Sequence, residues 1–542
     1  MLDDECDLLS LTGQRTRCSE LTPPPVSHRL PLPPSPTSPD RPMTTTKLRR
    51  IHHAAGAMSL LALAALAAPI AAQDGLARRI ERHLAKAPLD RGHWGILVVD
   101  GSGKVLYAAN ADRLFVPASN TKLVVVAAGV ATLPPDYRAV TSVYAAGSLV
   151  DGVLDGDLVV YGRGDPTFST RCYGIDTTTA GACDTAWSRM DSLAIQITAR
   201  DIRHVRGAIV GDGSYFDGEL YHPSWEAYDL NWWYAAPVSG LGFNDNSVDL
   251  SYRPGPRPDT PLFIDFAPDV GLFTLENRSR TLAAGERRTI DFYRAAGTHR
   301  IWAEGGMPVD ARERTEHFAV PDPNLYFAAA LRTALARAGV SVSGPTLATH
   351  DSLDYAPWRT APPVAELSSR PLRDLVFPVL NSSQNWFAEM LLKTLGRIAG
   401  GDGSWDAGIE IERAFLVDSV GIDSTAFWLS DGSGLSSGNL LTPRALVTLL
   451  RHMDTHPKKE AFLSALPQSG ALGSLERRFV GTPLEGRVFA KTGSIFHVNA
   501  LSGYVDRPDG ERLTFSVIVN NHAARSTEVL STIDSVVVEM AR

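Results

Sequence analysis

Residues 115–133 read FVPASNTKLVVVAAGVATL. The Pro-Ala-Ser-Asn entry followed by an apolar run predicts the start of a buried helix. Ser119 and Lys122 stand three residues apart, so on a helix their side chains share a face, about 5–6 Å apart at Cβ. A serine hydroxyl is a weak nucleophile at neutral pH, and a partly buried lysine with a lowered pKa can act as its base. The backbone N–H of Ser119, at the helix start, can donate to an oxyanion.

A second motif, Ser383-Gln384-Asn385, precedes the helical run WFAEMLLKTLG. Ser383 can relay a proton to a leaving group, and Asn385 can hold a substrate amide or orient a lysine. Taken alone, serine and asparagine before a helix are most often caps. The Ser-x-x-Lys motif is also ambiguous when taken alone, because an ordinary helix start with a solvated lysine has the same sequence pattern. The chain holds only eight lysines, which makes each lysine motif more informative.

A third motif, Lys491-Thr492-Gly493, lies in a predicted strand. If this strand is at the edge of a sheet, it can pair with an extended peptide. Lys491 and Thr492 can then bind a carboxylate, and Gly493 leaves room for the approaching backbone. The N–H of Ser494 can be a second oxyanion donor. The alternative is a strand with one exposed lysine and a glycine that accommodates twist.

Strand signals lie near both ends of the chain. Two β-prone runs flank an Asp-Gly-Ser-Gly turn at residues 100–103, which is a hairpin signal. Residues 487–505 read as two strands with a tight connection, residues 513–521 as another strand, and residues 526–541 as an amphipathic helix. Together these segments predict an α+β fold, with one antiparallel sheet of five strands and helices on both faces.

The region between these ends has a different texture. Residues 143–316 are rich in Gly, Asp, Pro and short β-prone runs, which predicts an inserted, mostly β accessory region. Helical patterns return at residues 322–339, where Gly339 is a candidate C-cap. The main domain is therefore predicted in two parts, residues 73–142 and residues 317–542.

The first 72 residues are set aside from the fold. Residues 1–42 hold nine of the 36 prolines and no periodic apolar pattern, so we interpret them as disordered or as a mis-assigned extension. Residues 43–72 combine a basic start, an apolar run and small residues, which is the plan of a secretory signal peptide. The apolar run is shorter than the ~20 residues of a membrane span, and a transmembrane anchor is the alternative.

Export affects the interpretation of the cysteines. Cys172 and Cys183 remain once the leader is removed, and an even pair in an exported chain suggests one disulfide. Neither cysteine has a CxxC partner, so a zinc site is not favoured.

The composition is that of a soluble globular protein, with 44% hydrophobic and 21% charged residues. A net charge of -8 argues against nucleic acid as the main partner, because phosphate binding needs a basic face. At roughly 100–200 residues per domain, the length of 542 residues allows about three domains.

The three motifs follow one another in a defined order on matching element types. Ser-x-x-Lys at a helix start, Ser-x-Asn before a later helix and Lys-Thr-Gly on a late strand together resemble the penicillin-recognising serine acyltransferases. The long insertion makes the chain similar to the D-alanyl-D-alanine carboxypeptidase/endopeptidase family of the penicillin-binding protein 4 (DacB) type, peptidase family S13. Further segments that resemble this family are Gly164-Asp165-Pro166-Thr167, Pro237-Val238-Ser239, Phe243-Asn244-Asp245-Asn246, Asp431-Gly432-Ser433-Gly434-Leu435-Ser436 and Thr442-Pro443-Arg444-Ala445.

The resemblance implies a transpeptidase- or β-lactamase-like domain with a large, mostly β insertion. It implies a serine D-Ala-D-Ala carboxypeptidase that acts on peptidoglycan stem peptides through an acyl-enzyme and binds penicillin and other β-lactams covalently. No metal or organic cofactor is implied. The enzyme would work in the periplasm or another extracytoplasmic space, without a transmembrane anchor once the signal peptide is removed.

Residue roles follow from the same resemblance. Ser119 would attack the penultimate D-alanine with Lys122 as its base, and Asp165, in the insertion, would contact the amino group of the stem peptide. The implied catalytic residues are Ser119, Lys122, Ser383, Asn385 and Lys491. The implied substrate-binding residues are Thr492, Gly493, Ser494 and Asp165.

Some alternatives stay open at this point. Many family members carry arginine where this chain has Ser437, so the preference for the stem side chain is open, as is the balance of carboxypeptidase and endopeptidase activity. A serine β-lactamase or esterase shares the fold and motifs, but the large insertion disfavours it. A non-catalytic peptidoglycan-binding protein would be expected to have a damaged motif.

Overall fold

The computed structural model describes residues 75–169, 171, 173, 186–295 and 297–542. Three sequence interpretations lie outside the described residues: the extension at residues 1–42, the signal peptide at residues 43–72, and the disulfide between Cys172 and Cys183.

Helices and strands alternate along the described chain. The helices are α1 (75–84), α2 (Lys122–Thr132), α3 (Ala186–Thr198), α4 (Pro323–Arg337), α5 (Leu372–Leu380), α6 (Asn385–Leu395), α7 (Trp405–Ala414), α8 (Pro443–Thr455), α9 (Lys459–Leu463) and α10 (Ser526–Met540). The strands are β1 (His93–Val99), β2 (Val105–Ala109), β3 (Val140–Val150), β4 (Val153–Gly162), β5 (His204–Val205), β6 (Ile209–Asp212), β7 (Ser247–Arg253), β8 (Phe263–Ala267), β9 (Thr274–Leu282), β10 (Asp291–Arg294), β11 (Arg300–Pro308), β12 (Arg314–Ala319), β13 (Ser341–Val342), β14 (Thr346–Thr349), β15 (Ala365–Ser368), β16 (Phe427–Trp428), β17 (Leu440–Leu441), β18 (Val488–Ile495), β19 (Val498–Asp506) and β20 (Arg512–Asn520).

One antiparallel sheet joins the two ends of the chain, in the order β18-β19-β20-β1-β2. Trp94 of β1 is paired with Val519 of β20, and Val488 of β18 is paired with Val505 of β19. Among the described strands, β18 has a neighbour on one side only, so it is an edge strand. The predicted five-stranded sheet is confirmed, and Lys491 lies on its edge.

Strands β19 and β20 are buried on both sides, because helices cover both faces of this sheet. Helices α1 and α10 pack on one face through a cluster that includes Ile80 and Ile533. Helices α2 and α8 pack on the other face, in a cluster that includes Val126 and Leu450. Helix α2 is apolar on all sides and buried over most of its length, which is the pattern of a central helix. The start of α2, where Lys122 lies, is therefore buried in the core.

A second sheet is built by the inserted region. Strands β13, β5, β4, β3 and β15 follow one another, and β6 pairs with both β4 and β14. Helices α3 and α4 pack on this sheet through one apolar cluster. The sequence interpretation of a mostly β region misses α3, although its buried residues recur at helical spacing. These residues are Ala186, Met190, Leu193, Ala194 and Ile197.

The second sheet continues past the domain boundary expected from the sequence. Residue 316 lies inside β12, and β15 pairs with β3 in the second sheet. The division of the chain into domains stays a prediction, and the strand pairing favours an insertion that extends to include β15.

Two three-stranded sheets form the rest of the insertion: β7 lies between β12 and β8, and β11 lies between β10 and β9. An apolar cluster around Tyr252, Phe292 and Phe318 joins them. Of the helices in the described ranges, none is long and apolar enough to cross a membrane.

Candidate active site

The chain turns sharply before α2, and Ser119 lies in this turn. Residues Ala118–Thr121 form one 3₁₀ turn, with Ala118 in the left-handed region at φ 47°. The Thr121 hydroxyl donates to the Ala118 carbonyl at 2.9 Å. Gly434 packs on the same carbonyl, and a Cβ at Gly434 would lie 2.0 Å from its oxygen. Ser119 is therefore held, half-buried, in a turn that tolerates little adjustment.

Lys122 begins α2, and its side chain is directed back to Ser119. Its Nζ lies 2.9 Å from Ser119 Oγ, 2.6 Å from Asn385 Oδ1 and 2.6 Å from the Ser433 carbonyl oxygen. The amide and carbonyl oxygens can only accept hydrogen bonds. A neutral lysine has two N–H donors and one lone pair, so when these two oxygens take both donors, the lone pair faces the Ser119 hydroxyl. A base for Ser119 needs this arrangement.

The environment of Lys122 favours its neutral form. The side chain is buried, and burial lowers the pKa of Lys122 to about 7. The negative charges of Asp431 and Glu389 act in the opposite direction, but burial is the larger effect. At neutral pH a substantial fraction of the molecules therefore has an amine that can accept a proton.

We expect the second-order rate constant for acylation by penicillin to rise as the pH increases through about 7. Below that pH, Lys122 already carries a proton and cannot accept one from Ser119, whereas above it the lone pair is free and the rate levels off. Rapid mixing with fluorescent penicillin between about pH 5 and pH 9 measures this dependence, with circular dichroism at each pH as the control for folding. A rate that does not change with pH would contradict Lys122 as the base.

Gln384, the middle residue of the second motif, fixes the start of α6. Its Oε1 accepts the Trp386 N–H at 3.0 Å and caps the helix. Its amide nitrogen donates to Asp245 Oδ2 at 2.9 Å, so the inserted region holds this motif in place. The cap is therefore Gln384, and the side chains of Ser383 and Asn385 are left for other contacts.

The second lysine, Lys491, is buried on β18 and faces Ser383. Its Nζ lies 2.8 Å from Ser383 Oγ and 2.9 Å from the Thr492 carbonyl oxygen. Burial, and then the neighbouring charge of Lys122, hold the pKa of Lys491 well below its ordinary value. An anion bound here would restore the charged form, because an opposite charge favours ionisation. The structure thus brings two serine–lysine pairs together.

Gly493 allows a close approach within the protein itself. A Cβ at Gly493 would lie 2.7 Å from the Pro117 carbonyl oxygen and 2.8 Å from Asn120 Nδ2. Asn120 Nδ2 also donates to the Lys491 carbonyl at 3.2 Å. The glycine therefore lets β18 pack against the turn that carries Ser119, a role beyond the expected one of leaving room for a peptide.

Thr492 and Ser494 lie at accessible positions of β18. Thr492 is half-buried, and its hydroxyl donates to Ser474 Oγ at 3.1 Å. Ser494 is exposed, and its hydroxyl accepts a hydrogen bond from Asn499 Nδ2 at 3.1 Å. Carboxylate binding by Thr492 and oxyanion binding by the Ser494 N–H stay predictions.

Asp165 lies in the insertion, and its carboxylate is paired with neighbouring groups of the protein. Its buried carboxylate accepts hydrogen bonds from Arg189 Nη2 at 2.8 Å and from the Thr167 N–H at 2.8 Å and hydroxyl at 2.6 Å. Burial raises the pKa of Asp165, and the charge of Arg189 opposes this shift. Because the carboxylate is enclosed and paired inside the insertion, its geometry favours a structural role and gives no support to a contact with a stem amino group.

Two backbone carbonyls complete the site, and sequence reasoning did not assign them. Asn385 Nδ2 donates to the Tyr234 carbonyl at 2.7 Å, which turns Oδ1 toward Lys122. The Ser433 carbonyl is the second oxygen, beside Asn385 Oδ1, that accepts an N–H of Lys122. A sequence signal existed for Ser433 alone, since it belongs to the Asp-Gly-Ser-Gly-Leu-Ser segment. In the part of the chain that the structure describes, no three His, Cys, Asp or Glu side chains are grouped as metal ligands.

A serine within hydrogen-bond distance of a buried lysine, next to an edge strand, has the groups that covalent acyl transfer to serine requires. The antiparallel sheet between layers of helices is the transpeptidase- and β-lactamase-like fold. Fold and site together define a serine hydrolase that works through an acyl-enzyme.

The chain belongs to the D-Ala-D-Ala carboxypeptidase 3 (S13) family, whose sequence profile matches residues 76–542. It is 32% identical over 481 residues to the D-alanyl-D-alanine carboxypeptidase of Actinomadura sp. (strain R39), covering 86% of this chain and 84% of that protein. It is 25% identical over 483 residues to penicillin-sensitive carboxypeptidase A of Dictyostelium discoideum, covering 83% of this chain and 87% of that protein. The crystal structure of penicillin binding protein 4 (dacB) from Haemophilus influenzae matches with a TM-score of 0.74 at 20% identity, covering 85% of this chain and 99% of that chain. The predicted family and fold are confirmed, and the protein is a serine-type D-Ala-D-Ala carboxypeptidase.

Proposed function

We propose that the protein removes the terminal D-alanine of peptidoglycan stem peptides through an ester on Ser119. The observation that carries this proposal is the position of Lys122, whose Nζ is 2.9 Å from Ser119 Oγ while two oxygens that can only accept lie on its other sides. Lys122 takes the hydroxyl proton as Ser119 Oγ bonds to the carbonyl carbon of the penultimate D-alanine. The carbon–nitrogen bond then breaks, and the terminal D-alanine leaves as an amine that has received a proton.

The second serine–lysine pair supports departure of the product. The Ser383 hydroxyl can donate its proton to the leaving nitrogen and recover one from Lys491, 2.8 Å away. Lys491 and Thr492 bind the terminal carboxylate, and the N–H groups of Ser119 and Ser494 bind the oxyanion. Water, or the amine of another stem peptide, then attacks the ester and frees Ser119.

The same groups account for covalent binding of penicillin by this chain. A β-lactam presents a strained amide and a carboxylate in the positions of the peptide bond and the terminal carboxylate of the substrate. Ser119 opens the ring, but the released nitrogen stays tethered to the acyl group and occupies the space that D-alanine would leave. The ester is therefore long-lived, which separates this enzyme from a serine β-lactamase of the same fold.

The test of this function uses three peptides and one antibiotic. A stem peptide that ends in D-Ala-D-Ala should release D-alanine, and the same peptide with an amidated terminus should react at least about 10-fold more slowly, because it lacks the carboxylate for Lys491 and Thr492. Cleavage of a cross-linked stem dimer measures the endopeptidase activity in the same assay. Absence of D-alanine release together with rapid turnover of fluorescent penicillin would favour the β-lactamase alternative.

We also propose that the enzyme acts outside the cytoplasm, because residues 43–72 have the plan of a secretory signal peptide. We expect exported protein to begin near Gln73, and N-terminal sequencing or intact mass measurement of the exported fraction gives the answer. The cytoplasmic fraction is the control, since it should contain the uncleaved precursor. An exported product that retains residues 1–42 would contradict this interpretation.

A further inference from the structure

Glu389 is a buried carboxylate on α6 that has no part in the proposed reaction. It follows Asn385 by four residues, so both side chains lie on the same helix face. Its Oε1 accepts the Ser433 N–H at 2.7 Å, and its Oε2 accepts the Gly432 N–H at 3.1 Å and Trp405 Nε1–H at 2.8 Å. One carboxylate thus binds two consecutive backbone N–H groups of the Gly432–Ser433 segment.

The same segment contacts Lys122 on its other side. The Ser433 carbonyl accepts a hydrogen bond from Lys122 Nζ at 2.6 Å. Asp431 secures the rest of the loop, because its carboxylate accepts the Gly434 N–H and the Ser436 N–H, each at 2.7 Å. Ser433 therefore connects Glu389 to the lysine that faces Ser119: its N–H binds the carboxylate and its carbonyl binds the amine.

We propose that Glu389 is a positioning residue for the base, because its carboxylate fixes the Ser433 carbonyl that holds one N–H of Lys122 and so directs the amine lone pair to Ser119. This inference rests on the proposed function, in which Lys122 is the base. All three partners of Glu389 are N–H donors, so an ionised carboxylate fits them. An amide in its place would set a donor against a donor and turn the Gly432–Ser433 segment away from Lys122.

Charged groups from several elements surround Lys122. Asp431 in the loop after β16 and Glu389 on α6 favour its protonated form, and Lys491 on β18 lies close enough for the charge of Lys122 to lower the pKa of Lys491. Burial raises the pKa of Glu389 to about 7, so the carboxylate predominates at about pH 8. Loss of the Glu389 charge should therefore move the titration of Lys122 to lower pH.

Glu412 on α7 provides a matched control. It is buried close enough to Glu389 to interact with its charge, and burial, followed by the charges of Glu389 and Asp431, raises the pKa of Glu412 well above its ordinary value. Within the described residues, neither of its carboxylate oxygens has a hydrogen-bond partner. Glu412→Gln therefore replaces a buried carboxyl in the same neighbourhood and leaves the hydrogen bonds from Gly432 and Ser433 to Glu389 in place.

The test compares Glu389→Gln, Glu389→Asp and Glu412→Gln by their rates of acylation with fluorescent penicillin between about pH 5 and pH 9. Rates are expressed per labelled site, and melting temperatures report on folding. We expect Glu389→Gln to acylate about 10–100-fold more slowly, because a small misplacement of a reacting group has effects of this size. In its plot of acylation rate against pH, the region in which the rate rises with pH should move to lower pH. Glu389→Asp should lose less rate, and its rate should rise over the same pH range as that of the wild type. The acylation rate of Glu412→Gln should stay within about twofold of the wild-type rate.

The outcomes separate this inference from the function on which it rests. Wild-type rate and pH dependence in Glu389→Gln would overturn the inference. So would an equal loss of rate at every pH in Glu389→Gln and Glu412→Gln, with equal loss of melting temperature, because that result shows a purely structural role. A wild-type protein that penicillin does not label would overturn the proposed function instead.

Discussion

Ser119→Ala is expected to abolish the covalent adduct with penicillin, a loss of more than about 10⁴-fold in labelling rate. The ester can form only on a hydroxyl that meets the carbonyl carbon and has a base beside it, and alanine removes that hydroxyl. The Lys122 amine, 2.9 Å from Ser119 Oγ in the wild type, would then have no proton to accept. Intact mass measurement after incubation with penicillin detects the adduct directly.

Ser383→Ala is the matched control, because Ser383 also lies 2.8 Å from a buried lysine. If Ser383 only relays a proton, its alanine variant should still form the adduct on Ser119, at a reduced rate. Peptide mapping identifies the modified residue. An adduct that persists in Ser119→Ala and disappears in Ser383→Ala would assign the nucleophile to the other serine–lysine pair.

Lys122→Ala is expected to slow acylation by about 10³-fold or more, because it removes the base and leaves the Ser119 hydroxyl with its ordinary nucleophilicity. Lys491→Ala should have a smaller effect, about 10–100-fold, since it weakens carboxylate binding and proton return but leaves the base in place. The labelling rate of each variant, measured above pH 7 with fluorescent penicillin, gives the comparison.

Lys458→Ala is the control for Lys122→Ala, because Lys458 binds the opposite end of the same helix. Its Nζ donates to the Ala131 carbonyl at 3.0 Å and the Leu133 carbonyl at 2.9 Å. Loss of these bonds tests whether disturbance of α2 alone slows acylation, and we expect a labelling rate close to that of the wild type. Equal loss of activity in both variants would contradict a chemical role for Lys122.

Double variants add a further check. The residues of such a unit act together, so Ser119→Ala combined with Lys122→Ala should lose little more than Ser119→Ala alone. Additive losses would mean that the serine and the lysine contribute to separate steps.

Sequence patterns were sufficient for the sheet and for the three motifs. The Asp-Gly-Ser-Gly turn and the C-terminal β-prone runs follow local rules of turn chemistry and strand composition, and the five-stranded sheet agrees with them. The spacing of Ser119 and Lys122 is also local, since one helical turn brings them to 2.9 Å. Helix α3 obeys a helical period too, but the Gly-, Asp- and β-rich texture around it hid that signal.

Contacts between residues that are far apart in the sequence could not be predicted from local patterns. Ser383 meets Lys491 across 108 residues and Asn385 meets Lys122 across 263 residues, and no local rule predicts either contact. Asp165 shows the same limit, because only the folded insertion reveals that Arg189 occupies its carboxylate.

The sequence alone determined the family and the five-stranded α+β fold, and it singled out the serine and lysine side chains that we propose carry the chemistry, because periodicity, turns and short motifs are properties of neighbouring residues. The tertiary structure decided how Lys122, the proposed base, is held. The Ser433 and Tyr234 carbonyls belong to the backbone, which is chemically alike at nearly every position, so only their placement in space gives them a role. The Glu389 carboxylate reads in sequence as one polar residue on an apolar helix, and its role depends on a loop that packs against it from a later part of the chain.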